Sequence, residues 1–115
     1  APFSLLYPST GNFLAVVGNL RSRRLVVDFL RHFTDASDFP VEGVATLESI
    51  SGIGWSDQWA FWREGYPALM VTDTAPFRYP DYHGTRDLPD RITAREFARV
   101  ARGIIQAVRG LAGRA

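Results

Sequence analysis

Apolar residues change their period along the chain, and the changes mark out six elements. "NFLAVVGN", from Asn12 to Asn19, is a short apolar run ending in Gly-Asn, the pattern of a buried strand followed by a turn. In "SRRLVVDFLRHF" the apolar positions Leu25, Val26, Phe29, Leu30 and Phe33 fall on one helical face, with Ser22 placed as N-cap. "VEGVATLES" is a second strand. "SDQWAFWREG" reads as a short helix, with Ser56 or Asp57 at its start and Gly65 at its C-terminal stop. "PALMVTD" is a continuous apolar run after proline, suited to a strand covered on both faces, as in a largely parallel sheet.

The last helix carries the clearest signals. Thr93 and Glu96 have the spacing of a capping box. Phe97, Ala101, Ile104, Ile105, Val108 and Leu111 form the expected inward stripe, and Arg95, Arg99, Arg102 and Arg109 the expected solvated face. The order β-α-β-α-β-loop-α predicts an α/β layer structure. In open α/β sheets functional groups gather beyond the carboxyl ends of the strands. Two clusters are expected there: "SGIGWSD" after the second strand and "TDTAPFRYPDYHGTRD" after the third.

Composition narrows the classes. The 115 residues suffice for one domain with a real core, and no repeat or linker divides them. Net charge is +1, all 13 basic residues are arginines, and they are spread along the chain and balanced by 12 acids, so no nucleic-acid partner is expected. No run is long and apolar enough to span a bilayer, so no membrane partner is expected either. The chain lacks cysteine, which excludes thiolate chemistry and leaves the compartment open between cytoplasm and periplasm or secretion. "APFSLLYPSTGNF" reads like a loop entering a strand, and the expectation is a chain cut from something longer.

Candidate chemistry centres on "YPDYHGTRDLPD", Tyr79 to Asp90, where His83 lies among turn-forming residues and acids. A neutral imidazole ligates zinc well, and Asp81 or Asp87 could orient its second nitrogen. A lone loop histidine beside acids is ordinarily a hydrogen-bonding residue, because catalytic zinc usually takes three protein ligands. Asp57 and Asp73 follow strands and could approach it, whereas His32, on the first helix, has a surface or helix-end role. Trp59 and Trp62 sit at helical spacing and read as packing; Trp55, at a strand-to-helix loop, is the better pocket wall. "GWSD" lacks the Gly-x-Ser-x-Gly elbow of serine hydrolases, and no phosphate-binding glycine loop occurs.

Taken in order, Ser56-Asp57, Phe61, Gly65, Pro67-Ala68, Tyr82-His83 and Asp87 resemble the C-terminal half of the di-zinc aminopeptidases, the family of aminopeptidase Y and bacterial leucine aminopeptidases. "GNFLAVVGNLRSRRLVVDFLRHF" is similar to the strand and helix that precede that region in bacterial members, so nearly the whole chain is covered. The resemblance implies a three-layer α-β-α fold, with residues 1–115 as one domain carrying part of a zinc-exopeptidase (phosphorylase/hydrolase-like) sheet. It implies two zinc ions in the complete parent, with His83 as the final ligating histidine. Asp87 would stand behind it as a loop-fixing acid, and Asp57, Gln58, Tyr82 and Trp55 would line the substrate pocket. The implied reaction is hydrolysis of an N-terminal peptide bond by metal-activated water, with peptide as substrate.

The departures bear on activity. Gln58 stands where the family has histidine, and Gly84 and Leu88 where it has threonines. The remaining metal ligands and the glutamate base have no counterpart in residues 1–78, so no catalytic residue is expected in this chain and alone it is expected to be inactive and to bind no zinc tightly. Its expected partner is the missing N-terminal half of the fold, or another copy. The alternatives are a non-catalytic binding or assembly module with the peptidase fold, and a glutaminyl-cyclase relative.

Overall fold

A computed structural model describes residues 13–48, 56–73 and 93–113. Strand β1 (Leu14–Asn19) is central and buried along its whole length, flanked by β2 (Val41–Thr46) and β3 (Leu69–Thr72) in the order β2-β1-β3. A three-residue 3-10 turn, Leu20–Ser22, leads from β1 into helix α1 (Arg23–Ala36). The short helix α2 (Gln58–Arg63) precedes β3, and α3 (Ala94–Leu111) is the longest element. The chain is thus a small mixed α/β structure, with the element order its periodicity predicts.

The sheet is mixed rather than largely parallel. β1 and β2 run parallel from Leu14↔Val41 to Asn19↔Thr46, as a helical crossover through α1 requires. β3 runs against β1, from Ala15↔Thr72 to Gly18↔Leu69. A continuous apolar run reports burial on both faces and carries no information on strand direction. The reversal has a large consequence: β2 and β3 deliver their carboxyl ends to opposite ends of the sheet.

Alternation along β1 divides the core in two. Leu14 and Val16 face Val26, Phe29 and Phe33 of α1 and Ala107 of α3. Phe13, Ala15 and Val17 face the other way, onto Trp62 of α2, with Val44, Ala68 and Met70 around them. Close contact of α1 with the sheet depends on two glycines. A Cβ at Gly18 would lie 2.8 Å from Val26 Cγ2, and one at Gly43 would lie 2.5 Å from Leu30 Cδ1.

Helix α3 is turned from its expected orientation. The residues it buries are Gly103 and Ala107, with Val100 and Ile104 half-buried beside them. Phe97, Ile105 and Val108 remain 60%, 58% and 56% exposed. Glycine explains the turn: Gly103 lets α3 settle against the Phe33 ring, where a Cβ would come within 2.3 Å of Cε2. His32 likewise packs under Gly110 rather than standing on a free surface. Arg99 leaves the solvated stripe: its Nε and Nη2 donate to Asp38 Oδ1 at 3.1 and 3.0 Å, and its guanidinium lies over the Phe39 ring.

The helix ends also depart from expectation. Ser22, Asp57 and Thr93 occupy the three N-cap positions, yet none makes a side-chain capping bond. Glu96 accepts from Arg99 Nη1 at 2.6 Å instead of closing the capping box. At the end of α2, however, Gly65 has φ +83°, and Gly65 N and Tyr66 N donate to Trp62 O and Phe61 O. This is the double bond pattern of a Schellman stop, which favours glycine at that position. No helix among the described residues is long and apolar enough to cross a membrane.

Candidate functional site

Of the site residues singled out in the sequence, Asp57 and Gln58 are described, at the start of α2, which packs on β3. Gln58, the first residue of α2, directs Nε2 toward Met70 Sδ at 3.6 Å, which is a weak contact. Trp62, one turn later, donates its indole N–H to Ala68 O at 2.8 Å. Helix α2 therefore runs back along β3, its first turn beside Met70 and its last beside Ala68. Asp57 immediately precedes α2, and Asp73 immediately follows β3. From Asp73 the chain passes directly into residues 74–92, which include His83.

The four other candidate residues, Trp55, Tyr82, His83 and Asp87, lie outside the described residues. Of the two that are described, Asp57 is exposed, whereas Gln58 is 5% exposed and packed between α2 and β3. The Gln58 amide is thus built into the packing that fixes α2. Trp62 is buried as a packing residue, whereas Trp59 is exposed at the surface, with the Arg63 guanidinium 4.8 Å from its ring centroid. Among the described residues no three His, Cys, Asp or Glu side chains lie close enough to hold a metal ion.

At the opposite end of the sheet, beyond β1 and β2, stands a polar cluster that sequence reasoning missed. Asn19 Oδ1 accepts from Ser22 N at 3.0 Å and from Ser22 Oγ at 2.6 Å. Ser22 Oγ in turn accepts from Ala68 N at 3.0 Å, and Asn19 Nδ2 donates to Glu48 Oε2 at 3.2 Å. Asn19 and Ser22 are both buried, so their mutual bonds offset the desolvation of their polar atoms. The signal was present as an Asn three residues ahead of Ser at a strand end. What it could not disclose was the long-range partner, Ala68.

No protein-family model matches the chain, and no solved structure matches it. It is 36% identical over 102 residues to a protein of Escherichia coli (strain K12) named "Uncharacterized protein YfbL". The match takes in 89% of this chain and 32% of YfbL, so the chain spans about a third of the length of that relative. These findings overturn the assignment to the di-zinc aminopeptidases: the similarity runs to a protein without an assigned activity, and no family pattern supports membership.

Proposed function

We propose that these residues form one wall of a hydrolytic site in a longer protein, which cleaves N-terminal peptide bonds with zinc-activated water. The observation that supports this proposal is the packing of α2, which Asp57 precedes, on β3, which Asp73 follows, next in sequence to the segment containing His83. Zinc supplies a nucleophilic water at neutral pH and polarises the scissile carbonyl. The chain's own part is narrower. His83 serves as one ligand, Asp87 orients it, and Asp57 with Tyr82 and Trp55 lines the pocket for the peptide's free amine. Gln58 and Trp62 hold α2 rigidly on β3, which keeps Asp57 in place. In this proposal the three-stranded sheet is a portion of a three-layer α-β-α sheet completed elsewhere in the longer polypeptide.

The test is hydrolysis of a leucyl-anilide by the complete gene product, with and without chelator, beside the His83→Ala variant. Chelation is expected to abolish turnover, and the variant to lose bound zinc. Residues 1–115 alone are expected to show no turnover. An inactive, zinc-free complete product would refute the proposal, and metal-dependent turnover by the 115 residues would refute the need for a second wall.

A further inference from the structure

Helix α3 has three longitudinal faces, of which one packs against the other described elements. Val100, Gly103, Ile104 and Ala107 pack toward α1 and the sheet. Next to them around the helix, Phe97, Ala101, Ile105 and Val108 form an apolar strip, and three of the four are more than half exposed. Beyond the strip, Arg95, Arg102 and Arg109 recur every seven residues. That spacing places them within about 40° of one another and about 10 Å apart along the axis. Among the described residues none of these three arginines has an ion pair, in contrast to Arg99.

We infer that this strip is an internal packing surface, covered by an apolar segment with flanking carboxylates from the rest of a longer polypeptide. Three observations select that occupant. The strip is continuous with the core, because half-buried Val100 and Ile104 lie between its exposed residues and buried Ala107. The relative YfbL is about three times as long as the matched region, which leaves ample chain to supply a covering layer. The arginine row on one flank, without an ion pair among the described residues and with Asp38 near only Arg102, calls for acids on the covering segment. A second copy fits less well. Antiparallel two-fold pairing along the strip would bring both arginine rows to the same side of the seam, with no acids opposite them. A bilayer fits less well too, since the arginines flank only one side of the strip and the other side is occupied by α1.

Residues 1–115 contain no cysteine, so a thiol introduced among them is read on its own peptide. Ile105→Cys and, as an exposed control, Arg24→Cys are introduced into the complete gene product, and thiol labelling at each is followed by mass spectrometry. The expected result is labelling at 105 at least about a hundredfold slower than at 24, independent of protein concentration, with the difference removed by denaturant. Equal rates in the native protein would overturn the inference. Protection that disappears on dilution would overturn it in favour of a second copy. Protection that arises only on addition of phosphatidylglycerol vesicles would overturn it in favour of a membrane. Should Ile105→Cys not fold, Val108→Cys reads the same strip. The readout is burial alone, so its outcome is separate from the fate of the hydrolytic proposal.

Discussion

Ser22 and Trp62 hold the two backbone polar groups of one residue: Ala68 N donates to Ser22 Oγ at 3.0 Å, and Ala68 O accepts from Trp62 Nε1 at 2.8 Å. Ala68 stands immediately before β3, so one side chain from the α1 side of the sheet and one from the α2 side fix where that strand enters. The reversed strand is thereby tied to both faces of the sheet. Asp73 follows its far end.

Removing the Ser22 hydroxyl should loosen this entry point. In Ser22→Ala the Ala68 N–H and the Asn19 Oδ1 both lose a buried partner, at a cost of about 1–3 kcal/mol. Urea unfolding is expected to show the loss, and hydrogen exchange to show faster exchange at Ala68. Trp62→Phe removes the indole donor together with part of a buried ring, so a loss of about 1–3 kcal/mol is expected.

Gly103→Ala should destabilise the chain, although alanine is the better helix former by about 1 kcal/mol. The added methyl would meet Phe33 ring atoms at 2.3 to 2.6 Å, and Phe33 is fully buried, so its ring has nowhere to turn. Overpacking of this kind costs about 1–3 kcal/mol, enough to outweigh the helical gain. A denaturation midpoint equal to or above the wild type would contradict the close α1–α3 contact.

Asp38 and Arg99 predict a pH dependence. Hydrogen bonding from Arg99, reinforced by its positive charge, holds the Asp38 carboxyl below the usual carboxylate range. A carboxylate depressed by folding contributes stability above its unfolded pKa of about 3.9, and that contribution is lost as pH falls through the lower folded value. Asp38→Asn is therefore expected to melt slightly below the wild type at pH 7, with the gap closing below about pH 4. The effect is small because the Asp38 side chain is 88% exposed. Thermal melts of the pair across pH 2.5–7 (about this range brackets the transition) decide it.

Asp57→Asn separates a site role from a structural one. The Asp57 side chain is exposed and makes no capping bond, so the change in stability should stay within about 0.5 kcal/mol. In the complete gene product the same variant is expected to lower kcat/KM for a leucyl-anilide. An unchanged kcat/KM would remove Asp57 from the proposed pocket.

The element order, the buried character of β1 and the glycine stop at Gly65 were legible in the residues themselves. Each rests on a local rule: apolar period, a short unbroken apolar run, or the steric freedom of glycine at positive φ. The candidate site was legible only as a set of residue types. That Asp73 lies at the end of the sheet opposite to Thr46 follows from the direction of β3, which no local pattern encodes.

The sequence alone determined which segments become helices and strands and that β1 is buried, because those outcomes follow from neighbours within a few positions. Only the tertiary structure decided the reversal of β3, the turn of α3 about Gly103, and the transfer of Arg99 from solvent to Asp38. Each depends on contacts between residues far apart in the chain. There, packing against a specific partner outweighs local preference, as the four-residue spacing of Val26 and Leu30 over Gly18 and Gly43 shows.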